Sequence, residues 1–293
     1  MDISSSFAGT PLRPLQCNVS WRHMMNYAAA LGDENPLYFD DERPGGVVAH
    51  PMFCVAVTWP ISERIWEFIE SDDFPMETLA TQVHYTEHLE IHRPIRPGDA
   101  ITVQGRLAAI TPHRSGTLTV LRFEAVDGDG KAVFTEHIGG LMRGVACSDE
   151  GRGKERLPGK PPWIEAKNPL WETVLPIDRM LPYLYDGCAD IYFPIHTSVK
   201  FAHDVGLPGT ILQGTATLAL AVRELINREA AGESRSVETI ACRFTGMVIP
   251  GSEIRVRLSE RVQREGRVEL FFLVYNAQGQ KAVSEGYLAF GNS

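Results

Sequence analysis

The chain has 293 residues, a formal net charge of −9 and a pI near 5.5. Its lysines and arginines are dispersed rather than gathered into a stripe, which argues against nucleic acid or an anionic membrane as a partner. Hydrophobic residues make up 44% of the chain, enough for a packed core in two domains or one large one.

Cys17, Cys54, Cys147, Cys188 and Cys242 are odd in number, far apart and form no CxxC pair, which speaks against a disulfide framework or a structural zinc site. The first residues lack a basic segment followed by an apolar core. No apolar run reaches the roughly 18 residues of a membrane span, and the final Phe-Gly-Asn-Ser carries no recognised address. A soluble protein of the reducing cytoplasm is the expectation.

In chain order, the first informative segment is Tyr27-Ala-Ala-Ala-Leu-Gly-Asp33-Glu-Asn35-Pro36-Leu-Tyr38, an acidic turn built around proline. An apolar run follows His50-Pro51 through Val55, Trp59, Ile61 and Ile69. It reads as a helix that Pro60 should kink or end. Residues 84–91 read as extended, Arg93-Pro94-Ile95-Arg96-Pro97-Gly98-Asp99 as a turn, and 101–107, 117–126 and 132–141 as strands. His84, His88 and His92 are four apart and should share one strand face, with no carboxylate or cysteine joining them at a metal-closing spacing. Arg93 and Arg96 flank the turn and could meet phosphates, although a solvated turn is the simpler reading.

Residues 148–165 are rich in Gly, Pro and charge and read as a linker between halves at 1–147 and 166–293. Beyond it the pattern repeats. Asp190-Ile-Tyr-Phe-Pro194-Ile-His196 echoes the first turn, and a helix over 215–226 opens at Gly214. Strands at 239–248, 254–259, 268–275 and 282–290 follow, with a second Pro-Gly turn at Gly251, 153 positions after Gly98 (251 − 98). An apolar helix followed by antiparallel strands buries itself if the sheet curls around it. The fold class is therefore α+β: two tandem units, each a curved antiparallel sheet wrapped on a central helix, paired edge to edge so that strand edges are covered.

These residues resemble a known family. Gly32-Asp33-Glu34-Asn35-Pro36-Leu37-Tyr38, Ala49-His50-Pro51, Arg93 to Asp99, Pro194-Ile195-His196 and Gly206 to Gly214 are similar to the MaoC-like, R-specific enoyl thioester hydratases and dehydratases. The resemblance covers roughly residues 15–145 and 170–290 and implies a double hot-dog fold. It also implies hydration of enoyl thioesters or dehydration of 3-hydroxyacyl thioesters. The family motif is Gly-Asp-x-Asn-Pro-(Ile/Leu)-His, whose aspartate and histidine act together on water. Here Tyr38 stands where the first copy's histidine belongs. In the second copy Phe193 replaces the asparagine, and Asp190 lies six positions before His196 where the motif has five.

The resemblance therefore implies His196 as base with Asp190 as its carboxylate. Backbone N–H groups around Gly214 and Thr215 would hold the thioester oxygen. Asp33, Asn35, Tyr38, His50 and Gln213 would contact or position substrate. Asp33 and Asn35 also have a plain reading as turn and cap residues, and His50 as a surface residue at a helix start. No metal or redox cofactor is expected. The substrate would be carried on coenzyme A or the phosphopantetheine of an acyl carrier protein, and a homodimer is left open. Two rivals remain: a hot-dog thioesterase using Asp33, disfavoured because Pro51 removes one helix-start donor, and a thioester-binding partner subunit that has lost activity.

Overall fold

The computed structural model describes residues 1–161, 163–264 and 266–291; Pro162 of the expected linker and Asn292 and Ser293 of the tail lie outside the described residues. The strands are β1 (Asp2–Ile3), β2 (Pro11–Asn18), β3 (Gln82–Ile91), β4 (Ala100–His113), β5 (Gly116–Val126), β6 (Ala132–Arg143), β7 (Ala146–Cys147), β8 (Trp171–Pro176), β9 (Val237–Phe244), β10 (Glu253–Arg264), β11 (Arg267–Asn276) and β12 (Lys281–Gly291). The helices are α1 (Trp21–Ala30), α2 (Pro36–Phe39), α3 (Phe53–Glu63), α4 (Ile65–Phe68), α5 (Leu181–Ala189), α6 (Val199–Asp204) and α7 (Gly214–Glu229).

One 10-stranded sheet runs β2-β4-β5-β6-β3-β9-β12-β11-β10-β8. Its two halves meet where β3 pairs antiparallel with β9, Glu87 opposite Cys242. Each half would otherwise present a bare edge at this seam, and joining them satisfies both rows of backbone groups. The central helices fill the interior. In α7, Leu218, Ala219, Ala221, Val222 and Leu225 are all 0% exposed, and its three buried alanines at 216, 219 and 221 let the helix sit close to its neighbours. Among the described residues no helix is long and apolar enough to cross a membrane.

The repeat is visible in detail. Gly98 and Gly251 share a left-handed φ of +84°. Gly98 N–H donates to Val19 O and Gly251 N–H to Ile177 O, each at 2.8 Å. Tyr27 on α1 and Tyr185 on α5, 158 positions apart, meet hydroxyl to hydroxyl at 3.0 Å. Because Tyr27 donates to Met52 O at 3.0 Å, Tyr185 is the donor between the two. These two rings pin the matched helices of the halves to each other.

Three sequence expectations change. Pro60 neither ends nor divides α3, which continues to Glu63. A proline deletes only its own bond to residue 56, and the N–H groups that follow still propagate the helix. The strand expected over 239–248 stops at Phe244. His84 and His88 do not share a face: a register shift between His84 and Thr86 reverses the alternation of β3. His84 therefore turns inward to 3.2 Å from Glu87 Oε2, whereas His88 meets the His137 ring. The edge strands β2 and β8 are additions to the expected set. Within 148–165, Arg152 bridges Ile110 of β4 through bonds of 2.9 and 3.0 Å. Gly153 passes so close beneath that a Cβ there would lie 2.1 Å from Ala108 O.

Candidate active site

Both motifs follow a helix that ends in a left-handed residue. After α1 that residue is Gly32, at φ 61°, and after α5 it is Asp190, at φ 53°. Matching these two positions aligns Asp33 with Ile191, Asn35 with Phe193 and Tyr38 with His196. The residue five positions before His196 is thus an isoleucine, 1% exposed. Asp190 is corrected accordingly. Its carboxylate is 77% exposed and 3.7 Å from His23 Nε2, and no hydrogen bond or ion pair joins it to His196. Aspartate is one of the few side chains that accept the left-handed conformation needed to leave α5. Since asparagine accepts it as well, Asp190→Asn should change turnover less than about twofold in steady-state kinetics, in contrast to the strong loss a catalytic carboxylate would show.

The first motif is the better fastened of the two. Asn35 Oδ1 accepts from Leu37 N–H at 3.0 Å and so caps α2, while its Nδ2 donates to Gly232 O at 2.7 Å, reaching across to the loop after α7. Asp33, 3% exposed, accepts from Asn35 N–H at 3.2 Å and from Asn227 of α7 at 3.5 Å. Burial raises its pKa, against the opposing pull of these donors and of Arg223. Removing both bonds of the cap with Asn35→Ala should cost about 1–2 kcal/mol in chemical denaturation.

In the second motif Phe193 provides no cap, and the loop is held from the first half instead, by Trp59 Nε1 donating to Tyr192 O at 3.1 Å. His196 Nδ1 lies 2.8 Å from Ile211 O. A carbonyl only accepts, so Nδ1 carries the hydrogen and, in the neutral ring, the lone pair is on Nε2. Burial lowers the His196 pKa to about 4, partly countered by this bond, so the ring is neutral at physiological pH. Three residues beyond Ile211, α7 begins. Its N-cap, Gln213, makes no side-chain cap bond and uses its amide on Pro182 O at 3.0 Å. The N–H groups of Gly214 and Thr215 therefore face no capping side chain. A Cβ at Gly214 would meet the Phe244 ring at 3.2 Å, so a larger residue would have to push that ring aside by a few tenths of an ångström.

His50 carries its proton on the other nitrogen. Its Nδ1 accepts from Met52 N–H at 3.1 Å, which leaves a hydrogen on Nε2 and no lone pair free. Burial, and next Arg223, lower its pKa to about 3. The two motifs thus offer different chemistry: His196 presents a base, and His50 presents a donor. Neither histidine has an aspartate beside it. Sequence reasoning missed this division, although counting back five positions from His196 finds Ile191.

Comparison with known proteins matches each half separately. A MaoC like domain matches residues 183–277, and a FAS1-like dehydratase domain region matches residues 6–136. The fatty acid synthase subunit beta of Aspergillus oryzae is 34% identical over 135 residues, which is 45% of this chain but only 6% of that protein. The probable enoyl-CoA hydratase 2 of Dictyostelium discoideum is 24% identical over 253 residues, covering 84% of this chain and 83% of that one. A crystal structure of a MaoC-like dehydratase from Phytophthora capsici superposes with a TM-score of 0.82 at 21% identity over 98% of both chains. With a MaoC like domain matched on the second half, a FAS1-like dehydratase region on the first and a solved fold matched from end to end, the chain is a double hot-dog protein.

Proposed function

We propose that the protein is a hydro-lyase, adding water to an enoyl thioester or removing it from a 3-hydroxyacyl thioester, with the reaction at the second-half motif. The observation that carries this reading is the bond from His196 Nδ1 to Ile211 O, three residues before the uncapped start of α7, which leaves the lone pair on Nε2. In hydration, Nε2 takes a proton from water as the oxygen bonds to the β-carbon. The π electrons move onto the thioester oxygen, where the Gly214 and Thr215 N–H groups stabilise the enolate character. The imidazolium then returns its proton to the α-carbon, so every atom of the water ends in the product. Ile211 O plays the orienting part that the resemblance assigned to a carboxylate. Asp33 and Asn35 hold the first motif rigid against α7.

The carrier of the acyl group, coenzyme A or an acyl carrier protein, belongs to the same proposal. Ile191 favours one rival, a chain that binds thioesters without turning them over. Purified protein incubated with crotonyl-CoA and with a longer enoyl-CoA tests the two readings. Loss of the enoyl absorbance with formation of the 3-hydroxyacyl product supports the hydro-lyase, and binding without turnover sinks it.

A further inference from the structure

Beside the first-half motif lies a small pocket with two buried polar side chains, His50 and Ser234, on its wall. His50 and Tyr38 are 1% exposed and Ser234 is 5% exposed, yet His50 Nε2 makes no hydrogen bond and the two hydroxyls have only each other nearby. The three lie together. The Tyr38 and His50 ring centroids are 5.6 Å apart, and the Ser234 hydroxyl sits beside that of Tyr38. His50 and Ser234 share the wall of a cavity of about 10 Å³, otherwise bounded by apolar groups such as Ile91, Pro94 and Ile95, with exposed Arg235 at its rim. A buried polar atom without a partner is costly, and two on the wall of one cavity, with the Tyr38 hydroxyl beside them, call for an occupant. The cavity is about large enough for a single oxygen centre.

The polarity identifies the occupant. His50 Nε2 can only donate, because Met52 N–H occupies Nδ1, and each hydroxyl has a hydrogen to give. Convergent donors call for an acceptor oxygen. A carboxylate is disfavoured, because Asp33 is close enough to Tyr38 to oppose a second negative charge there. The nearby cations are also committed, Arg223 to Glu224 at 2.8 Å and to the Leu31 carbonyl, and Arg235 to Glu233. A neutral carbonyl fits both the size and the charge.

We propose that this pocket binds the carbonyl oxygen of an acyl thioester, as a second site separate from His196 that does not hydrate its ligand. It has no base, since the only lone pair of His50 is engaged. The thioester class of the ligand rests on the function proposed above, whereas the location and donor character of the pocket do not.

The test is calorimetric titration of the full chain with hexanoyl-CoA, which has the carbonyl but neither double bond nor hydroxyl, alongside infrared spectra of the same ligand labelled with ¹³C at the thioester carbon. Two equivalents are expected for the wild type, with two bound carbonyl bands below the free frequency. Tyr38→Phe and Ser234→Ala each remove one hydroxyl at nearly constant shape. Each should weaken one equivalent about tenfold and shift one band back toward the free value, while His196→Ala leaves that band in place. A single equivalent insensitive to both hydroxyl variants overturns the proposal, as do two equivalents that neither variant affects. The two readings fail separately: hydration lost in His196→Ala with one equivalent bound removes only the second site. Hydration retained in His196→Ala, with a Tyr38-dependent second equivalent, removes only the assigned base.

Discussion

His196→Ala is expected to lower kcat for crotonyl-CoA hydration about 10³-fold while KM changes less than about threefold, since general-base assistance is worth roughly 10²–10⁴. The fold should survive, because the ring makes one hydrogen bond, to Ile211 O, and joins no strand or long helix to another. The pH profile provides an independent check. A base must be unprotonated to act, and burial places the His196 pKa at about 4. Activity should therefore hold from pH 7 down to about 5 and fall only as the pH passes through about 4. Loss near pH 6.5 would mean that the ring is solvated in the working enzyme. Asp33→Asn, at the opposite motif, should cost less than about fivefold. If Asp33→Asn is the crippling change and His196→Ala the mild one, the chemistry belongs to the first half.

The duplication was legible because turns repeat with residue-level fidelity. Gly98 and Gly251 need the same left-handed backbone, and only glycine takes it without strain. The sequence spacing therefore transferred directly into paired hydrogen bonds at Val19 and Ile177. The strand interiors were legible through their alternation, and α7 through its apolar helix formers. The edge strands were not. In β2, Pro11 and Pro14 interrupt the pattern, which an edge tolerates because one row of N–H groups needs no partner. In β8 the alternation is of half-buried with exposed residues, too weak a contrast to separate from loop. The second motif was misread by one residue for a related reason. An acid at position 190 is prominent in sequence, but the backbone uses it as a substitute for the Gly32 of the first copy, a role set by φ rather than by charge. His50 gave no sign of its tautomer, because that depends on a bond from Met52 N–H which only the helix start creates.

The stability of the protein should peak in mildly acidic solution and decline on both sides, because two sets of buried groups pull in opposite directions. On the acid side, burial lowers the pKa of His50 to about 3 and of His84, His137 and His196 to about 4. An unfolded histidine takes up its proton near pH 6.5. Between that value and about pH 4 the unfolded chain therefore binds more protons, and stability falls as the pH falls. Each proton out of step contributes about 1.4 kcal/mol per pH unit. On the alkaline side the source is Glu87 of β3 and Glu136 of β6, 1% and 0% exposed. Burial raises both pKa values, that of Glu87 to about 8, and Glu136 is raised further by the charge of its neighbour. Here the folded chain keeps protons that the unfolded chain releases above about pH 4.5, so stability is lost as the pH rises toward 8. The two trends oppose each other between about pH 4.5 and 6.5, and only the carboxyl pair acts above that window. Urea midpoints should therefore be higher at pH 5.5 than at pH 8 and should fall steeply from pH 5 to pH 4. Glu87→Gln, which keeps the shape and removes one titrating carboxyl, should flatten the alkaline limb, steepen the rise between about pH 4.5 and 6.5, and leave the slope below about pH 4.5 unchanged. A wild-type midpoint at pH 8 equal to or above that at pH 5.5 would show that the pair is ionised in the folded protein, and hence that water or a cation reaches it beneath α3.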